Sequence, residues 1–141
     1  MKYVLEDSIG FLLSRTHTRA KNELLQALKP YNITPEQWGL LTRLWEEDGI
    51  SQKELANRIF KDQPTTARIL EKMEKKKLIA RQPDPVDGRV SLVFLTEKGR
   101  SLRNELISKA TGVLEKALQG FSDAEVQQLK KMLNRIFHNL K

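Results

Sequence analysis

The sequence predicts a mainly α fold with one small β-hairpin, and three features of the residue pattern carry that expectation. Apolar side chains recur at helical spacing through both ends of the chain. Ser or Thr followed three residues later by Glu or Gln occurs at Thr34, Ser51 and Ser122, and each such pair marks a helix start. Asp84 to Leu95 reads DPVDGRVSLVFL, where a Pro/Asp/Gly turn leads into a stretch of alternating period.

Leu5, Ile9, Leu12, Leu13, Ala20, Leu24 and Leu28 share one face of a long first helix, and Pro30, which biases Lys29 away from helical angles, is expected to end it. Thr34-Pro35-Glu36-Gln37 combines an N-cap, a proline at the first helical position and a capping box. Trp38, Leu41, Leu44 and Trp45 form the predicted buried face of this second helix, with Gly49 closing it. Ser51-Gln52-Lys53-Glu54 opens a short third helix with Leu55, Ala56 and Ile59 inward. Asp62 caps a fourth, carrying Pro64 in its first turn, Ile69, Leu70 and Met73 inward, and Thr65, Arg68 and Lys72 on a shared polar face.

The period then changes. Leu78 to Arg81 and Arg89 to Leu95 read as two strands around the turn-rich segment Gln82 to Gly88, with Val90, Leu92 and Phe94 alternating against Ser91 and Val93. Thr96 caps the next helix, whose Leu102, Leu106, Ala110, Val113 and Ala117 mark one face. Gly120 separates it from a last helix capped at Ser122 and lined by Val126, Leu129, Leu133, Ile136 and Leu140.

With 141 residues, of which 39% are hydrophobic, the chain fits one soluble domain able to bury a core without disulfides. A net charge of +7 favours polyanions: nucleic acid is the first partner to consider and an anionic membrane the second. The absence of cysteine excludes thiolate catalysis and cysteine-ligated zinc, and the only two imidazoles, His17 and His138, stand at opposite ends of the sequence, which disfavours a shared metal site. No Gly-rich phosphate loop, zinc-protease helix motif or nucleophile elbow is present, so neither an enzyme nor a cofactor is expected. The N-terminal MKYVLEDSIG lacks the apolar core of a signal peptide, and no stretch approaches the roughly 18 apolar residues of a membrane span. A cytoplasmic location away from the membrane is the expectation.

Three helices followed by a hairpin describe a winged helix-turn-helix, in which the second helix of the pair enters a DNA major groove. Arg89, at the hairpin tip, is placed to reach the adjacent minor groove, where a guanidinium is easier to desolvate than an ammonium. The stretch KMEKKKLIARQPDPVDGRVSLVFLTEKGR resembles the signature of MarR-type transcription factors: a recognition helix ending in a basic run, a strand, an Asp-x-Arg wing tip and a Leu-Thr-x-x-Gly junction. Those positions are Asp87, Gly88 and Arg89, then Leu95, Thr96 and Gly99. Helix order resembles that family along essentially the whole chain. Two positions depart from it: Gly88 stands where a basic residue is frequent, and Lys77 where a helix-ending glycine is common.

The resemblance implies a single domain over 1–141, with a winged lobe at about 33–96 and N- and C-terminal dimerisation helices at about 4–29 and 97–140. It further implies a homodimer on a pseudo-palindromic double-stranded DNA operator, acting as a repressor released by a small aromatic or lipophilic ligand. The ligand would lie between lobe and dimer helices, near His17, Tyr31, Trp38 and Arg43, with no residue assigned to it. Carried over by position, the recognition-helix contacts are Gln63, Pro64, Thr65, Thr66, Arg68 and Lys72, and the wing contacts Asp87 and Arg89. Arg68 suits a guanine edge or a phosphate, while Thr65 and Thr66 offer hydroxyls to phosphate and methyls to thymine. Asp87 is expected to orient an arginine, and Ser51 and Gln52 to meet phosphate through backbone amides. Lys75 to Lys77 form either a solvated helix end or a DNA contact. The rival reading is a winged-helix protein–protein interaction module without specific DNA binding.

Overall fold

The computed structural model describes residues 3–140, so Met1, Lys2 and Lys141 of the expected 1–141 domain lie outside the described residues. After one 3₁₀ turn at Leu5–Asp7, helix α1 (Ile9–Leu28) starts at Ser8, whose hydroxyl accepts from the Phe11 amide at 3.2 Å. The α-helix stops at Leu28, beside Pro30 as expected, but Lys29 does not leave the helical region. Lys29 keeps right-handed helical angles (φ −54°, ψ −43°) and its amide still donates to Leu25, while Pro30 sits inside a 3₁₀ turn, Lys29–Tyr31, that ends with Asn32 at φ 58°. Tightening from α to 3₁₀ carries the chain past the missing proline N–H, so the steric bias on the preceding residue is overridden.

Helix α2 (Pro35–Glu46) has the complete capping box: Thr34 Oγ1 accepts from the Gln37 amide at 3.1 Å and Gln37 Oε1 from the Thr34 amide at 3.2 Å. It ends at Glu46, three residues before Gly49. Gly49, at φ 75°, instead makes the turn into strand β1 (Ile50–Ser51), with its amide donating to Val93 at 2.9 Å. The buried face of α2 is Gln37, Leu40, Leu41 and Leu44; Trp38 and Trp45 lie half-buried at its margin, edge-to-face at 5.7 Å.

Helix α3 (Gln52–Arg58) is capped by Ser51, but the box is only half formed because the Glu54 carboxylate pairs with Arg58 at 3.1 Å. Helix α4 (Gln63–Lys75) begins at Asp62, which accepts from the Thr65 amide at 2.7 Å, and Pro64 occupies its first turn. Lys77, where glycine was the common residue, does adopt the left-handed region at φ 63°, and its carbonyl accepts from the Thr96 hydroxyl at 2.6 Å.

Strands β2 (Ile79–Pro83) and β3 (Ser91–Leu95) pair antiparallel, and β1 adds to the other edge of β3, giving the order β1-β3-β2. The register sets Ile50 and Arg81 on opposite sides of Val93, and Ile79 opposite Leu95. The expected two-stranded hairpin is therefore part of a three-stranded sheet. Of the two alternating faces of β3, Val93 and Leu95 are in the core, and Leu92 and Phe94 are half-buried. LVFL is apolar on both faces, so alternation alone does not select a side; Asp48 does, accepting from the Leu95 amide at 2.8 Å and the Gly49 amide at 3.1 Å.

The helix expected from Thr96 onward is broken at Leu102 into α5 (Glu97–Ser101) and α6 (Arg103–Ala117), followed by α7 (Asp123–Asn139), whose Ser122–Glu125 capping box is complete. One core joins Leu28 and Leu106 to Leu40, Leu44, Leu55, Leu70, Met73 and Val93, so the lobe and the helices around it share their packing. At the junction of β3 and α5, Gly99 is buried against the Leu78 carbonyl, where a Cβ would lie 2.3 Å from that oxygen. By contrast α7 buries none of its residues, and Met132, Leu133, Ile136 and Phe137 stay exposed, as do Ile9 and Leu13 on α1. No helix among the described residues is long and apolar enough to cross a membrane.

Candidate nucleic-acid interface

Helix α4 divides by spacing into two faces. Thr66, Leu70 and Met73, at i, i+4 and i+7, are fully buried, which docks the helix on the lobe. Gln63, Pro64, Arg68 and Lys72 are exposed and Thr65 is half-exposed, so the outer face presents two hydroxyl- or amide-bearing side chains and two cations within about 14 Å of helix axis. Arg68 donates to Thr65 Oγ1 at 3.3 Å, and neither Arg68 nor Lys72 is in an ion pair among the described residues. Asp62 is held below the usual carboxylate range by the Thr65 amide, so the cap stays ionised and completes the first turn.

Thr66 is a correction to the predicted contact set. Its side chain has no exposure, and its hydroxyl donates to the Asp62 carbonyl at 2.9 Å, inside the helix start. The apolar period through Leu70 and Met73 was the sequence signal that puts it on the core side.

The wing is built by two aspartates. Asp84 Oδ1 accepts from the amides of Val86 at 2.7 Å and Asp87 at 3.3 Å, while the Asp84 amide donates to Val90 at 2.8 Å, closing the turn between β2 and β3. Asp87 accepts from the amide of Arg89 and from its Nε, both at 3.1 Å, and this arginine holds the carboxyl below its ordinary range. The Arg89 side chain is 92% exposed and nothing lies within 4 Å of a Cβ built at Gly88, so the tip stands out from the lobe. An aspartate on one edge of the guanidinium fixes its direction and leaves its other donors outward.

Ser51 and Gln52 lie at the start of α3, both half-exposed. The Ser51 hydroxyl is committed to the Glu54 amide, and Gln52 Oε1 accepts from Arg81 at 3.4 Å. Arg81 is the residue that sequence reasoning passed over. From β2 it also bonds Glu74 of α4 at 3.1 Å, so one guanidinium spans the two helices of the pair and the wing strand. A charged residue directly after the apolar Leu78-Ile79-Ala80 run was the available sign. Of the residues considered near a ligand, His17 and Arg43 line one cavity, Tyr31 lines another, and Trp38 packs on the core.

Comparison with known proteins bears on this arrangement. The pattern that defines the MarR family matches residues 33–91, from the start of the lobe to the foot of the wing. The HTH-type transcriptional regulator MgrA of Staphylococcus aureus is 31% identical over 80% of this chain and 76% of its own length. The chain belongs to the MarR family. It is also similar to the HTH-type transcriptional repressor IacR of Pseudomonas putida, 29% identical over 96% of this chain and 81% of that protein. Among solved structures it is similar to CouR of Rhodococcus jostii RHA1 bound to p-coumaroyl-CoA, with TM-score 0.84 and 28% identity over 96% of this chain and 95% of that one. A structure of CouR, described as a transcriptional repressor, bound to a 23-mer DNA duplex superposes with TM-score 0.87 and 25% identity over 96% and 99%. MarR membership makes the chain a DNA-binding transcriptional regulator rather than an enzyme, and its fold is the winged helix of that family.

Proposed function

We propose that this MarR-family regulator is a cytoplasmic homodimer that binds a pseudo-palindromic operator, one lobe to each half, and represses until a small aromatic or lipophilic ligand releases it. The observation that carries the reading is the outer face of α4, where Thr65, Arg68 and Lys72 face outward and neither cation is in an ion pair among the described residues, on a lobe that also projects Arg89. Gln63 and Pro64 extend that face, Ser51 and Gln52 flank it, and Asp87 aims the wing arginine. Cations in this arrangement gain affinity from phosphate and counterion release, while Arg68 and the threonine methyl supply base contact.

Dimerisation is supported by the apolar side chains left open on the terminal helices at about 4–29 and 97–140: Ile9 is 63% exposed and Leu114 59%. Single exposed hydrophobics are ordinary, but a run of them along α1 and α7 matches an interface between copies. The lobe at about 33–96 would then be presented twice by that interface. For the ligand, support comes from a cavity of about 360 Å³ between α1, α2 and the α3–α4 link, where Arg43 and His17 stand with the Phe60 ring, while Lys21 is paired with Glu36 at 2.9 Å and Arg58 with Glu47 at 2.6 Å. Release requires the ligand to prefer the arrangement unable to bind DNA; equal affinity for both would shift nothing.

Selecting bound fragments from a random duplex pool tests the reading. A two-fold symmetric motif with half-sites about one helical turn apart is the expected outcome. Failure to enrich any sequence, with binding to another protein instead, supports the interaction-module alternative.

A further inference from the structure

A second cavity, about 330 Å³, lies where the end of α4 meets the turn between α1 and α2 and the start of α5. Its charged lining consists of Lys75, Lys76, Lys77 and Lys98, and no carboxylate lines it. Such a concentration of one sign on a concave surface has to be accounted for, because like charges at close range repel.

Part of the charge has an internal use. Lys98 donates to the Lys76 carbonyl at 3.1 Å, and Lys76 donates to Gln37 Oε1 at 2.8 Å and to the Asn32 carbonyl, so both meet oxygens at the negative end of the helix and the turn facing it. Those partners are neutral groups. Lys75 is offset by Glu71 at 3.7 Å, but Lys76, Lys77 and Lys98 are in no ion pair among the described residues. The nearby acids are committed elsewhere: Glu74 is held by Arg81, and Glu105 faces the Tyr31 phenol, which burial and this neighbour push up together. Burial first, and then Lys72 and Lys98, pull the Lys76 ammonium below the ordinary lysine range. An anion in the cavity would relieve that repulsion.

The cluster begins where the face assigned to DNA ends. Lys76 lies four residues beyond Lys72, about 6 Å farther along the helix axis, and the cavity is walled by Tyr31, Asn32 and Leu102 rather than by Thr65 or Arg68. Three cations without a carboxylate exceed what one monovalent ligand neutralises, and lysines bind phosphate oxygens as point charges without demanding a fixed plane. Tyr31 and Leu102 give the cavity an apolar wall that a bare ion would not need.

We propose that this cavity binds a small compound bearing two or more phosphate charges, held by Lys77 and Lys98 over the Lys76 ammonium. The source is either free pyrophosphate or a phosphorylated organic molecule whose body lies on Tyr31 and Leu102. Occupancy would tie the end of α4 to the α1–α2 turn and to α5. That regulatory consequence rests on α4 being the DNA-reading helix; the binding itself does not.

The test is calorimetric titration of the full chain with pyrophosphate at about 150 mM salt, where exposed charges are largely screened, followed by a nucleoside diphosphate. Saturable binding is expected, weakened at least tenfold in Lys77→Asn/Lys98→Gln and unchanged in the charge-matched control Lys130→Gln/Lys131→Gln on α7. Asparagine is chosen at 77 because it tolerates the left-handed region. Should that variant fold poorly, amide shifts of the wild type decide: changes confined to Tyr31–Ile33, Lys75–Leu78 and Lys98 support the site, and dispersed changes overturn it. Tighter binding of the nucleoside diphosphate than of pyrophosphate identifies an organic ligand; the reverse identifies the inorganic one. No saturable binding to the wild type, or equal loss in the control variant, overturns the proposal. If the wild type binds no pyrophosphate and Lys77→Asn/Lys98→Gln instead lowers the salt slope of DNA binding by about 2, the lysines hold the duplex backbone and the proposal also fails. Loss of all sequence-selective DNA binding by the wild type would sink the function proposed above and leave this site standing.

Discussion

Replacing Gly99 by alanine puts a methyl carbon 2.3 Å from the Leu78 carbonyl oxygen and 3.1 Å from a Leu95 methyl. Real Cβ contacts stay above 3.0 Å, and the obstacle is backbone, so α5 or the α4–β2 connection must move by at least about 0.7 Å. That movement is opposed by the Gly99 carbonyl, which accepts from Trp45 Nε1 at 3.0 Å, and by the Gly99 amide, which donates to Thr96 Oγ1 at 3.1 Å. Overpacking of this kind costs about 1–3 kcal/mol, and straining two hydrogen bonds adds about 1 kcal/mol. A total near 3 kcal/mol corresponds to a fall in Tm of about 10 °C for a chain of this size. Thermal unfolding followed by circular dichroism reads it directly. Because Leu78 follows α4 and Leu95 ends β3, the same displacement reaches the recognition helix and the wing together, so DNA affinity should fall with stability. A Tm within about 2 °C of wild type would show that the close approach is relieved at little cost, and would refute this account of why glycine occupies the position.

Three further outcomes are expected. Arg68→Ala should cost about 1–3 kcal/mol of DNA affinity and relax preference at one position if the guanidinium reads a guanine; a uniform loss across duplexes, seen by fluorescence anisotropy, assigns it to phosphate. Arg89→Ala should weaken binding most where the operator has a narrow A·T minor groove, and equal affinity of wild type and variant across such duplexes would remove the wing from the interface. Thr66→Val keeps the shape but removes the hydroxyl bonded to Asp62, so stability should drop by about 1 kcal/mol in denaturant titrations with sequence preference unchanged. A changed preference at one base pair with unaltered stability would return Thr66 to the DNA face.

The helix starts were legible because their signals are local. A hydroxyl or carboxylate at Thr34, Ser51, Asp62, Thr96 and Ser122 satisfies amides within three residues of itself, and the sequence alone displays that spacing. What escaped depends on distant partners. Strand β1 is two residues long and exists only because β3 lies beside it, and the side of β3 that is buried is chosen by Asp48, 47 residues away from Leu95. Gly49 looked like a helix end because its left-handed angle is needed, but for a turn into the sheet. At the site, the outer face of α4 followed from period, and Thr66 was misplaced only where motif position was preferred over that same period. Arg81 joins α3, α4 and β2, a relation no single stretch of sequence contains.

The central claim is that two lobes engage one duplex at once, and operator spacing tests it most directly. Inserting five base pairs between the halves of a selected duplex turns one half to the opposite side of the helix while leaving every base within each half intact. The account predicts that affinity, measured by anisotropy at fixed salt, falls at least a hundredfold, to the level of a duplex carrying one half. Undiminished affinity for the lengthened duplex would mean that each copy binds alone, and the paired arrangement would be wrong.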